Sequence, residues 1–334
     1  MPCVRSPKGV PMRCRAQLVL IAASAVLGGA APSAAADGLP VPVDQTYGAG
    51  VVSADGHSRF VALPAGERTL VMRISTADGE VTSSTVATDD YTVPAIAVDG
   101  TASGISANGE TLALINPRQT FPRSTTSFRI YDAEKLRRDP LELELQGDFS
   151  FDALSPDGET MYLIEYTDPR DPGAYQVRSF DLATRKLEPD PLLDSEEDPD
   201  EMRGLPMTRA TSLDGGWEYT LYDGGGAHPF IHALDVVEGT TVCIDLDMLK
   251  PKETFGASLE STADGSAIEL TDQNGELRAI VDTHSQTALE PSEQPEPTAA
   301  PTEPKDSGLE TAGIAAGAVI FMALVGVGIR RMRR

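Results

Sequence analysis

Disulfide bonding has almost nothing to work with in this chain. Three of its 334 residues are cysteine, and Cys3 and Cys14 precede an apolar run that reads as an export signal, which leaves Cys243 alone. A fold without disulfides must rest on its core. Cys243, inside Thr-Thr-Val-Cys-Ile, reads as a small buried hydrophobe on a strand. Basic residues are scarce too: 27 Lys and Arg stand against 51 Asp and Glu, a formal net charge of −24. Four of the bases precede residue 37 and four follow residue 329, whereas all the acids lie between. Such a surface repels phosphate backbones, which excludes nucleic-acid binding, and favours cationic partners or plain solubility. Only four histidines occur, at 57, 228, 232 and 284. The patterns HExxH, GxSxG, SxxK and the P-loop are missing from the exported part, so no familiar catalytic signature is present. Helical periodicity is nearly absent from residues 41–285, which excludes an α-helical domain.

The two ends carry targeting signals. Residues 1–36 read as a signal peptide: Arg5, Lys8, Arg13 and Arg15 precede the apolar stretch 16–31, and Ser33-Ala34-Ala35-Ala36 offers a cleavage site before Asp37. No lipobox cysteine follows the apolar run, so a lipoprotein is excluded. Residues 309–329 read as a transmembrane helix, uncharged from 311 onward and long enough to cross a ~30 Å hydrocarbon layer. The basic tail 330–334, with Arg330, Arg331, Arg333 and Arg334, stays cytoplasmic. The expected location is therefore the cell membrane, by a single pass, with the N-terminal domain extracellular. Residues 286–308 carry prolines at 291, 295, 297, 301 and 304 and no hydrophobic period. They read as an extended stalk of up to roughly 70 Å.

Internal repetition is the strongest signal between these ends. Ser106-Ala-Asn-Gly-Glu-Thr-Leu-Ala-Leu-Ile115 aligns without a gap on Ser155-Pro-Asp-Gly-Glu-Thr-Met-Tyr-Leu-Ile164. Looser copies begin at Ser53, Ser212 and Thr262, with starts 53, 49, 57 and 50 residues apart. Each copy pairs an Asp-Gly or Asn-Gly dipeptide with a β-prone run, the pattern of a tight two-residue hairpin. A second strand follows, closed by Asp132, Asp181, Asp235 or Asp282, each able to cap the next turn. Because the turn residues recur once per repeat, turn chemistry rather than a carboxylate site accounts for them.

Repeats of about 50 residues with short strands describe β-propeller blades. The unit Ser-x-Asp-Gly followed by alternating apolar residues and a closing Asp resembles the YVTN/TolB-like and WD40-like propellers of bacterial exported proteins. The resemblance covers about residues 41–290 and lacks the Gly-His and Trp-Asp pairs of WD40 blades. It implies an all-β domain over residues 37–285, a β-propeller of about five four-stranded blades, with six as the alternative. Residues 39–50 would complete the last blade. With its stalk, the architecture resembles surface proteins of Gram-positive bacteria, actinobacteria among them. Leu309-Glu310-Thr311-Ala312-Gly313 departs from a sortase motif at three positions, which leaves wall anchoring as an alternative to the membrane span.

Two loops stand out as partner-binding candidates. Residues 188–201 form an acidic insertion in which Asp194, Glu196, Asp198 and Asp200 alternate as Ca²⁺ ligands would, although Pro199 stands where a calcium loop needs glycine. A solvated acidic loop explains it better. Trp217, Tyr219 and Tyr222 precede Gly224-Gly225-Gly226 and suggest an aromatic face beside a loop. His228 and His232 flank Pro229 and make a weak metal pair. No cofactor, metal or catalytic residue is assigned. The expected function is a non-enzymatic, membrane-anchored surface module that binds a protein, peptide or wall glycan. The alternatives are an envelope hydrolase or lyase using the propeller channel, and a structural acidic coat protein.

Overall fold

The structure, a computed structural model, describes residues 50–136, 139–194 and 202–291. The signal segment, the closing residues expected before Gly50, the apolar span 309–329 and the basic tail lie outside the described residues. Among the described residues, no helix is long and apolar enough to cross a membrane.

The described chain is all-β, a run of five antiparallel meanders. The first sheet is β1 (Val51–Val52), β2 (Ser58–Pro64), β3 (Arg68–Ser75) and β4 (Val81–Thr88). The second is β5 (Thr111–Ile115), β6 (Thr125–Asp132) and β7 (Leu141–Gln146). The third holds β8 (Phe149–Leu154), β9 (Thr160–Asp168), β10 (Asp171–Asp181) and β11 (Lys186–Leu187). The fourth holds β12 (Pro206–Thr211), β13 (Trp217–Tyr222), β14 (Phe230–Asp235) and β15 (Thr240–Asp245). The fifth holds β16 (Ser258–Ser261), β17 (Ala267–Thr271), β18 (Leu277–Asp282) and β19 (Thr287–Leu289). In every sheet the strands pair in chain order, as propeller blades do. The outer strand β4 is largely exposed, whereas strands between two sheets bury apolar residues on both faces. Leu112 and Leu114 on β5 pack against the first sheet, for example, while Ala113 and Ile115 join Phe149, Phe151 and Leu163 of the third. The fourth and fifth sheets share a core of Tyr219, Leu221, Ile231, Ile268 and Val281.

One local motif builds all five first hairpins. In the third sheet the Ser155 hydroxyl donates to Asp157 Oδ1 at 2.5 Å and accepts the Thr160 N–H at 2.9 Å. Asp157 Oδ1 also accepts the Glu159 N–H at 3.0 Å. The Gly158 N–H reaches the Ser155 carbonyl at 2.8 Å. The same contacts recur at Ser53/Asp55, Ser106/Asn108, Ser212/Asp214 and Thr262/Asp264. Only the glycine has positive φ (Gly158 at 74°), so the loop is a type I turn ending on a left-handed residue, longer than the two-residue hairpin expected. The closing aspartates behave as anticipated, for the Thr184 N–H donates to Asp181 Oδ1 at 2.7 Å and the Ser285 N–H to Asp282 Oδ1 at 2.7 Å.

Two departures from the expected architecture matter for the site. The second sheet has three strands where four were expected. Residues 92–105 meet β5 at the bridges Thr92–Ile115 and Ile105–Leu112 and through the Ala113 N–H, which donates to the Gly104 carbonyl at 2.7 Å. Between these points they fold back on themselves through Ala95–Ala102. Pro94 lacks an N–H, and Gly104 sits at φ +123 with the Ala113 carbonyl where a Cβ would be, so a regular strand cannot form. The hairpin tip instead reaches the fourth sheet: the Val98 N–H donates to the Pro206 carbonyl at 2.8 Å and the Asp99 N–H to that of Met207 at 3.2 Å. The second departure is β19, which lies inside the segment 286–308 assigned to the stalk. Its three pairings with β18 make it the outer strand of the fifth sheet.

Candidate functional site

The first-hairpin turns of successive sheets pack together at one end of the sheets. The Asn108 N–H and Nδ2 donate to the carbonyls of Pro156 and Asp157, both at 3.0 Å. A Cβ on Gly265 would lie 3.0 Å from the Leu213 Cβ. In each sheet the turn before the last strand is tied to the same end, as in the Val236 N–H to Gly216 carbonyl bond of 3.0 Å and the Thr283 N–H to Ser266 carbonyl bond of 3.1 Å.

A cleft of about 410 Å³ opens on this end between the fourth and fifth sheets. Leu213, Asp214, Trp217, Tyr219, Asp264 and Thr283 line it. Trp217 and Tyr219, two apart on β13, project to one side and stack with centroids 6.2 Å apart and planes at 23°. The Tyr219 hydroxyl accepts from Gln286 Nε2 at 2.9 Å, so residues just before β19 hold the aromatic pair in place. Leu213 is 66% exposed, the most open of the large apolar side chains among the described residues. The Asp214 carboxyl is held below its ordinary range by the Ser212 hydroxyl and the Gly216 N–H. Asp264 is pushed down to about 2 by the N–H and hydroxyl of Ser266, with help from Thr262. Both are therefore ionised over the whole physiological range.

The five copies of the turn serve as an internal control for this cleft. At the position after the serine or threonine the other copies carry Ala54, Ala107, Pro156 and Ala263, but the fourth carries Leu213. At the fifth position after it they carry Ser58, Thr111, Thr160 and Ala267, but the fourth carries Trp217. Hairpin geometry is the same in all five, so the two large apolar residues answer to something other than the turn.

Of the buried polar clusters, one joins Arg118 and Arg123 to Asp148, and another lies between the third and fourth sheets. Asp152 on β8 and Arg209 on β12 form an ion pair, with Arg209 also donating to the Asp152 carbonyl and to Thr220 Oγ1, both at 2.7 Å. His232 on β14 is 1% exposed, with Tyr222 edge-on at 6.2 Å, and neither ring nitrogen has a hydrogen-bond partner. Burial pushes its pKa down to about 4. Among the described residues, no three His, Cys, Asp or Glu side chains come together as a metal site would need. His228 and His232 do not share a site, since His228 is exposed with Nε2 2.9 Å from Asp245 Oδ1.

The residues singled out from sequence are dispersed. Tyr222 stands an odd number of residues from Trp217 and Tyr219 and so faces the opposite way. There it stacks between Tyr175 and Phe230, at 4.9 and 5.2 Å, in the core shared with the third sheet. Tyr219 is buried as well, while Trp217 is half-buried at the cleft wall. Asp194 Oδ2 accepts the Cys243 N–H at 2.8 Å and so caps the outer edge of the fourth sheet. Glu196, Asp198 and Asp200 lie outside the described residues. The triple glycine forms a short 3-10 turn, Gly224–Gly226, bound by Asp223. Sequence reasoning missed Leu213, Asp264 and Thr283 as cleft residues. The contrast of Leu213 with alanine or proline in the other copies was the signal available.

No protein-family model matches the chain, and no curated protein does. Solved structures give a faint likeness. A putative TolB from Agrobacterium tumefaciens is 15% identical, with a TM-score of 0.43 over 74% of this chain and 80% of that one. Hydrazine synthase of Kuenenia stuttgartiensis is 16% identical, with a TM-score of 0.44 over 70% of each chain. The β-propeller domain of Cps50 (Swd1) from Myceliophteria thermophila is 10% identical, with a TM-score of 0.42 over 71% of this chain and 66% of that one.

Proposed function

We propose that this chain is an exported binding module, a propeller held outside the cell by a proline-rich stalk and a single membrane span, which captures its partner in the cleft between the fourth and fifth sheets. The observation that carries the reading is the replacement of two small turn residues by Leu213 and Trp217 in one of five otherwise equivalent hairpins. Leu213 is exposed at this concave site, and Trp217 is half-buried beside it, packed against the core of the fourth and fifth sheets. Apolar surface left open in a concave site is what a partner covers. Aromatic anchors of this kind dominate the energetics of binding surfaces. The signal segment, stalk and arginine-flanked apolar run support presentation at the cell surface.

The test is proximity crosslinking of the tagged full-length protein in its native membrane, comparing wild type with Leu213→Ala and Trp217→Ala. A partner enriched by the wild type and lost from both variants is the expected result. A partner captured equally by all three, or none captured by the wild type, would overturn the reading. Fractionation of the same cells checks the anchor, because removal of residues 309–334 should release the protein into the medium.

A further inference from the structure

We infer that the cleft between the fourth and fifth sheets receives a lysine or arginine side chain from a basic peptide segment of the partner, an inference that rests on the cleft being the binding site. Its wall is Trp217, backed by the buried ring of Tyr219, and its rim carries the carboxylates of Asp214 and Asp264. No basic residue lines it. Each carboxylate spends Oδ1 on its own turn, Asp214 on Ser212 and Gly216, Asp264 on Thr262 and Ser266. Oδ2 of each accepts no hydrogen bond from the described residues. An alkyl stem laid along Leu213 and Trp217, with its charged head over the indole and between carboxylates, matches every feature of this lining.

A second cleft on the molecule shows what a similar acidic lining does when the chain answers it internally. Between the second and third sheets, a cleft of about 520 Å³ is lined by Glu110, Asp132, Glu134 and Glu159. Lys135 lines it too, with Nζ 3.3 Å from Asp132 Oδ2 and 3.8 Å from Glu134 Oε2. There the chain supplies its own ammonium. In the cleft beside Trp217 the acidic rim is retained, an aromatic wall is added, and the cation is left to the partner.

Trp217 is the only tryptophan in the chain, so its emission reports this cleft directly. The detergent-solubilised full-length protein is titrated at physiological ionic strength with tetralysine, with tetraglutamate, and with chitotetraose as a neutral glycan. The expected result is a saturable change with tetralysine, weakened about tenfold or more in the double variant Asp214→Asn/Asp264→Asn. Asparagine preserves the turn, because Asn108 makes the same bonds in the second copy, accepting from Ser106 Oγ at 2.6 Å and from the Glu110 N–H at 3.0 Å. Asp157→Asn removes one charge from a turn outside this cleft and is expected to bind as wild type, which separates the site from general attraction to an acidic protein. No response to tetralysine, or equal affinity in the double variant, overturns the inference. A response to chitotetraose alone also overturns it while sustaining the cleft as a binding site, and partner capture that depends on Trp217 tests that underlying reading separately.

Discussion

Asp152 and Arg209 hold two neighbouring sheets together through an ion pair whose side chains are only 2% and 3% exposed. Each stands on the first strand of its sheet, and among the described residues no other arginine pairs with Asp152. Removing one partner would strand the other charge in the core. Asp152→Ala is therefore expected to lower stability by about 3–5 kcal/mol, whereas Asp152→Ala with Arg209→Met should cost markedly less. Urea unfolding of the three proteins checks this. Equal losses in the single and double variants would show that the pair is not what the aspartate contributes.

His232 sets a pH dependence. In the fold its imidazole is held neutral, with a pKa down at about 4, while in the unfolded chain it titrates near its ordinary 6.5. Between these values the unfolded state binds the extra proton, so stability falls as pH drops from about 6.5 towards 4. The full loss is of order 3 kcal/mol. His232→Leu should flatten the curve in that window, as measured by thermal melts from pH 7 to pH 4. A variant that keeps the wild-type slope would place the titration elsewhere.

Gly56 and Gly158 separate backbone strain from packing. They share nearly the same φ, 72° and 74°, but a Cβ on Gly56 meets nothing within 4 Å, whereas one on Gly158 would sit 2.3 Å from Thr111 Oγ1. Gly56→Ala is expected to cost about 1–2 kcal/mol from the left-handed conformation alone. Gly158→Ala should cost clearly more, because the turns of the second and third sheets would have to part. Equal costs would mean that the contact between these turns relaxes freely.

The boundary of the folded domain can be tested by truncation. A soluble form of residues 37–291 keeps β19 and the bond from Gln286 to Tyr219, and one ending at residue 285 loses both. The shorter form is expected to melt at least several degrees lower and to shift its tryptophan emission, since Tyr219 carries the stack on Trp217. Indistinguishable melts would return residues 286–289 to the stalk.

The turns were legible from sequence because their chemistry is local. Ser155, Asp157, Gly158 and Thr160 satisfy one another within six residues, so the motif declares itself wherever it occurs, and its five copies mark five sheets. The closing aspartates were legible for the same reason. The alternation placed Trp217 and Tyr219 on one side of β13, where they stack, but gave no sign of a cleft. Tyr222 was misplaced by a simple parity: at an odd spacing from both, it had to face the other sheet. The three-stranded second sheet was not anticipated, because the repeat pattern promised four strands and the segment holding Pro94 and Gly104 crosses to the fourth sheet instead.

What the sequence determined by itself, then, is the local grammar of this protein: an all-β domain of five hairpins opened by Ser or Thr and turned on Asp-Gly or Asn-Gly, flanked by a proline-rich segment and apolar runs. Only the tertiary structure decided that Val98 reaches across to Pro206, that Gln286 steadies Tyr219, and that Asp264 faces Trp217 over a cleft. Each of these joins residues more than forty positions apart. A turn is set by hydrogen bonds whose donors and acceptors are neighbours along the chain, and any copy of the motif contains them all. A cleft is set by how whole sheets pack, and the apolar contacts that pack them are non-directional and name no particular partner.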